Sequence, residues 1–90
     1  MFEDWLVSLR DRQVRMRIQA RIGRLAFGNP GQHRVLSGRV CEMKVDCGPG
    51  YRVYFTRQRD AWAVLLCGGD KASQRADIET ALALANALEN

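Results

Sequence analysis

Arg52, Lys71, Lys44 and Asp70 are the side chains whose types and placement in this sequence could do chemistry together. They gather around two Gly-rich corners, "CGPGYRVYF" and "LLCGGDK". Cations and a proton acceptor suit cleavage of an RNA phosphodiester, in which the 2′-hydroxyl is the nucleophile and no metal is required. Cationic side chains then stabilise the charge on the pentavalent phosphorane and its leaving group. Arg52 offers a planar guanidinium for paired, charge-assisted hydrogen bonds to a phosphate. Lys71 and Lys44 add charge, and Asp70 is a candidate acceptor, since no His stands among them as a general base. Gly50 and the other turn glycines let a phosphate backbone approach the main chain closely, and exposed turn N–H groups can bind anions. Tyr51 or Tyr54 could stack on a base from the solvent side of the strand. Arg17, Arg21 and Arg24 could form an RNA track along a helix.

The same residues have plainer uses. Charged strand faces serve solubility and discourage edge pairing, and Asp46 with Arg52 makes a cross-strand ion pair, an account that suits Glu42 and Asp46 better than catalysis does. Arg17, Arg21 and Arg24 read equally as a solvated helix face. Trp5, Tyr51, Phe55 and Trp62 belong in a core, and His33, alone in a loop, has nothing nearby to make it catalytic.

The elements that must position these groups follow from hydrophobic period. Phe2, Trp5, Leu6 and Leu9 recur at helical spacing in "FEDWLVSLRD". Asp11 is an N-cap for a second helix, whose buried stripe is Val14, Ile18, Ile22 and Leu25 and which ends at "GNPG". From Arg39 the period becomes two. Cys41, Met43, Val45 and Cys47 alternate with Glu42, Lys44 and Asp46, Gly48-Pro49-Gly50 turns, and Tyr51, Val53 and Phe55 alternate with Arg52, Tyr54 and Thr56. Pairing Cys47 with Tyr51 places Asp46 opposite Arg52, Lys44 opposite Tyr54 and Glu42 opposite Thr56, with an outward polar face. "AWAVLLC", Ala61 to Cys67, is a strand covered on both sides, broken by Gly68-Gly69-Asp70. A last helix runs from Ser73 with Ile78, Ala81, Leu82, Ala85 and Leu88 inward. The expected fold class is α+β: two N-terminal helices packed on a three-stranded antiparallel meander, closed by a C-terminal helix, in one domain over residues 1–90.

Ninety residues bury one modest core, so any site lies on its surface. Lys and Arg number 14 against 10 Asp and Glu, and the excess sits in the N-terminal half, which favours an acidic or polyanionic partner. Cys41, Cys47 and Cys67 are odd in number and lack CxxC spacing, which fits a reduced, cytoplasmic setting. One His and no Cys/His cluster offer no metal ligand set, and no cofactor is implied. No long apolar run precedes Asp11 or follows Leu82, so neither a signal peptide nor a membrane span is expected.

"FEDWLVSLRD", "ARIGRLAFGNPG", "GPGYRVYF" and "LLCGGDKASQRADI", in this order from Phe2 to about Asn86, make the sequence resemble the RelE/ParE superfamily of bacterial toxins, in its HigB-like branch of addiction-module killer proteins. The resemblance implies a compact α+β toxin that cuts mRNA on the ribosome without a metal and is silenced by a helix-turn-helix antitoxin. It implies that Arg52 contacts the scissile phosphate, that Lys71 is the basic residue after the last strand, and that Lys44 lies near the basic strand positions. Relatives usually carry a strand before the first helix, absent here, which would expose a sheet edge for pairing with a second copy. The C-terminal tyrosine some relatives hold against the base has no equivalent in "QRADIETALALANALEN". The ParE branch has the same fold and inhibits DNA gyrase without nuclease chemistry, and an inactive relative would only bind antitoxin; fold alone does not separate these readings.

Overall fold

A helix start leaves four backbone N–H groups without partners, and Asp11 supplies an acceptor. Its carboxylate accepts from the N–H groups of Gln13 at 2.9 Å and Val14 at 3.4 Å in the computed structural model, which describes residues 1–57 and 63–89. Helix α2 therefore runs Arg12–Ala26, after a shorter α1, Phe2–Ser8. At the far end Gly28 takes the left-handed conformation, with φ 86°; its N–H donates to Leu25 O, and that of Asn29 to Arg24 O. This pair of bonds is a Schellman closure, which a side chain at Gly28 would strain.

Four strands follow: β1 His33–Ser37, β2 Val40–Val45, β3 Tyr51–Arg57 and β4 Ala63–Asp70, and α3, Gln74–Glu89, closes the chain. They form an antiparallel meander in the order β1-β2-β3-β4, an α+β arrangement with two helices before the sheet and one after. Helices α1 and α2 pack with one face of the sheet, where Phe2, Val14, Ile18 and Leu25 meet Cys41, Met43, Val45, Val53 and Phe55. The other face carries Val40, Tyr54, Leu66 and Cys67 and is covered by Ala81 and Ala85 of α3. Apolar burial on both faces is the main stabilising term. Among the described residues no helix is long and apolar enough to cross a membrane.

The structure corrects several expectations, three of them about the sheet. The sheet has four strands, because residues 33–37 pair with β2. This strand lies at an edge with little buried on either face, so it lacks the alternation that marks a half-buried strand. Secondly, Val45 rather than Cys47 pairs with Tyr51, so Lys44 stands opposite Arg52 and Glu42 opposite Tyr54. A slip by two keeps every side chain on its expected face. Thirdly, Gly68-Gly69-Asp70 continues β4 instead of ending it. Of the expected strand, Ala61 and Trp62 lie outside the described residues.

The polar face of the hairpin is also not outward. Helix α3 lies over it, and Glu42, Arg52, Tyr54 and Thr56 are all buried. Arg21, expected on an RNA track, is half-buried and structural. Its guanidinium donates to Lys44 O at 2.7 Å, Pro30 O at 3.0 Å and Gln32 O at 3.4 Å, tying α2 to β2 and the loop before β1.

Candidate functional site

Two of the buried polar residues, Glu42 and Arg52, line a cavity of about 460 Å³ together with Gln32, His33, Arg34, Lys44 and Gln74. Three strands and α3 contribute, so the cleft exists only when the sheet and the last helix are assembled. Its lining carries three cations and one carboxylate, an excess of two positive charges.

Glu42 organises the interior of the cleft. Arg34, directly opposite on β1, donates from Nε to Oε1 at 2.8 Å. Tyr54, opposite on β3, donates its hydroxyl to Oε2 at 2.9 Å, and Gln74, at the start of α3, donates its side-chain N–H to the same oxygen at 2.9 Å. One carboxylate thus joins two neighbouring strands and a helix. Burial pushes the Glu42 carboxyl up, but the hydrogen bonds from Gln74, Arg34 and Tyr54, with the charge of Arg34, outweigh burial and hold it below its ordinary range. Burial and the neighbouring Glu42 carboxylate push the Tyr54 phenol far above its usual range, so it stays a neutral donor.

Arg52 lies beside this network and is only 8% exposed. Its Nε is 3.9 Å from Glu42 Oε2, beyond hydrogen-bond reach, and both Nε and Nη1 are buried without an acceptor among the described residues. A buried donor left unpaired costs about 1–3 kcal/mol, more when charged. An acceptor brought within hydrogen-bond reach of either N–H would remove part of that cost.

The other expected site residues divide. Lys44 lines the cleft, half-buried, with Nζ 3.6 Å from Asp46 Oδ1; Asp46 therefore pairs with Lys44, and not with Arg52 as the sequence suggested. Gly50, with φ 85°, sits beside Arg52: a Cβ there would lie 3.7 Å from Arg52 Nη1. Its N–H is already given to Cys47 O at 2.9 Å, so it is no free anion donor. Tyr54 cannot stack on a base, because it is fully buried and bound to Glu42. Asp70 is not a free proton acceptor: Oδ1 accepts from the Ser73 N–H at 3.1 Å and lies 3.3 Å from Ser73 Oγ, shaping the entry to α3. Lys71 is exposed after β4 and does not line the cleft, while its carbonyl accepts from the Gln74 N–H at 3.4 Å.

Arg17 and Arg24 are exposed on α2, which packs with the sheet face opposite to that of Arg52. They do not continue the cleft. The turn glycines of β4 are not openings for a phosphate either. A Cβ on Gly68 would lie 2.4 Å from the Trp5 ring, and one on Gly69 would lie 1.8 Å from Asp77 Oδ2. Both glycines are needed for packing.

Arg34, Gln74 and the central place of Glu42 are absent from the sequence expectations. Arg34 sits on the strand without an alternating pattern, and Gln74 reaches Glu42 across 32 positions of chain. No local spacing marks such a pair.

No family model matches the chain, and no solved structure matches it. An uncharacterized protein of Haemophilus influenzae is 42% identical to it over 87 residues, which cover 97% of this chain and 88% of that protein. The chain belongs to that protein's family. The match spans α1 to α3 nearly end to end, so the residues of the cleft lie within the shared length.

The depressed carboxyl of Glu42 has a consequence for the fold. A group whose pKa falls on folding stabilises the protein above its unfolded value, about 4.3 for Glu, and that stability is lost as pH falls through the folded value. The urea midpoint of the wild type is therefore expected to fall below about pH 4. Glu42→Gln should flatten that acid limb, measured by urea titrations at successive pH values. An unchanged limb in the variant would assign acid unfolding to other carboxylates.

Proposed function

We propose that this chain is the toxin of a type II toxin–antitoxin pair, a ribosome-dependent endoribonuclease that cuts messenger RNA and so stops translation. The observation that carries the reading is Arg52, a buried cation with two N–H groups that find no acceptor among the described residues, in a cleft whose lining is positive overall. A phosphate is an acceptor that a guanidinium fits, through charge-assisted hydrogen bonds. Lys44 adds charge at the rim, and both cations can stabilise the extra negative charge of the phosphorane. The resemblance of "GPGYRVYF" and "LLCGGDK" to HigB-like toxins supports the same assignment and supplies its context: the cytoplasm, a ribosome carrying mRNA, and a helix-turn-helix antitoxin as the silencing partner. In this reading Lys71 acts from outside the cleft, as a surface charge next to the start of α3.

Primer extension on mRNA translated in a reconstituted system tests the proposal. Cuts at ribosome-occupied codons are expected with the purified protein. An uncut message, together with gyrase trapped on DNA, would replace the nuclease with the gyrase-inhibitor reading.

A further inference from the structure

We infer that the protein has a second ligand site, a pocket at the C-terminal end of α2 that takes a small apolar acid: one aromatic ring carrying a carboxylate on a short chain. The pocket lies on the other face of the sheet from the buried Glu42 network, and the inference does not rest on the nuclease reading. Where the chain leaves α2, a cavity of about 190 Å³ lies between Leu25, Gly28 and Pro30 on one side and the sheet on the other. Leu25, Cys41 and Phe55 form its apolar depth, and Val35 of β1, 63% exposed, is an open wall. An apolar cavity of about 150 Å³ takes one benzene ring, so the pocket suits a single ring and not a larger ligand.

The rim is cationic. Arg39, in the β1–β2 turn, and Arg57, at the end of β3, both line the cavity, and both are exposed, so an anion reaches them from solvent. Val40 pairs with Thr56, and the Arg57 N–H donates to Arg39 O at 3.3 Å, so the two arginines stand opposite each other on neighbouring segments of the sheet. Like charges placed that way repel and destabilise a sheet. Neither arginine makes an ion pair with a described residue, and the described lining holds no carboxylate. Glu42, the one acid of β2, is turned to the α3 side by its bond from Gln74. Burial pushes the Cys41 thiol up and the Arg57 charge offsets part of the rise, which puts that charge near the depth of the pocket. A carboxylate between the two guanidiniums replaces their repulsion with charge-assisted hydrogen bonds. Its ring then covers apolar surface of Leu25 and Val35 that water otherwise wets.

Titration of hydrocinnamate, a phenyl ring joined to a carboxylate through two carbons, into the ¹⁵N-labelled full chain tests the site. Saturable amide shifts are expected at Val35, Cys41 and Phe55, with half-saturation in the high-micromolar to millimolar range open to so small a ligand. Arg39→Gln and Arg57→Gln should each weaken binding about tenfold, the scale of a lost hydrogen bond to a charged group. Both side chains are exposed, so the variants keep the fold, and the same spectra report it. Hydrocinnamide, which lacks the charge, and acetate, which lacks the ring, should not saturate in the same range.

The inference is overturned if hydrocinnamate gives no saturable shift, if hydrocinnamide binds as well as the acid, or if the shifts are confined to Lys44 and Gln74 of the cleft. An acetylated peptide ending in Phe that saturates the pocket where the free acid does not also overturns it, because the occupant would then be a polypeptide terminus. Cutting of mRNA is a separate readout, so this site and the nuclease reading can fail independently.

Discussion

Gly68→Ala is expected to lower unfolding stability by about 1–3 kcal/mol, the usual cost of overpacking a core. Gly68 lies opposite Val53 on the helix-covered face of the sheet, and Trp5 of α1 rests on it; an added Cβ would lie 2.4 Å from two ring carbons. The indole cannot step aside freely, because its ring centroid is 5.6 Å from that of Phe2 and 6.3 Å from that of Tyr51. Helix α1 would have to lift. Gly23→Ala, in α2, is the control: nothing lies within 4 Å of its added Cβ, and relief of glycine's helix penalty should raise stability by about 1 kcal/mol. Urea midpoints of the two variants should move in opposite directions. A neutral Gly68→Ala would mean that α1 does not depend on the bare backbone of β4.

The second large effect is at Arg52, where activity and stability should separate. Arg52→Met removes the guanidinium but fills its volume with an unbranched apolar chain. Under the proposed nuclease function, cutting of ribosome-bound mRNA is expected to fall about 10²–10³-fold, the scale seen when a preorganised charge-stabilising donor is lost. Stability should stay level or rise by about 1–3 kcal/mol, because two buried N–H groups without acceptors disappear. Arg52→Lys should not restore cutting, since an ammonium cannot reproduce the planar pair of donors. A variant that loses stability and activity together would recast Arg52 as a structural ion-pair partner of Glu42.

Much of the fold is legible in the residues. Asp11 before the stripe of Val14, Ile18 and Leu25 marks α2, and the alternation from Cys41 to Phe55 marks the central hairpin and its two faces. Alternation says which residues share a face but not what covers that face. The polar set of Glu42, Arg52 and Tyr54 therefore looks like a solvent face until α3 is seen to lie over it. The same limit explains the glycines of β4. They read as a break, whereas Trp5 on one side and Asp77 on the other require a strand without side chains there. At the site, Arg52, Lys44 and Gly50 are legible as a group because they flank one hairpin. Arg34 and Gln74 are not, since each joins the cleft through tertiary pairing alone.

Binding of a phosphate by the Arg52 guanidinium is the central step of the proposed function. The ¹H–¹⁵N spectrum of the arginine Nε–H groups would read this, with the protein titrated with a short RNA carrying a 2′-deoxy sugar at the cut position. The predicted result is a saturable shift of the Arg52 signal, accompanied by Arg34 and abolished by Arg52→Met. Shifts at the exposed Arg17 and Arg24 alone, with Arg52 unmoved, would contradict it.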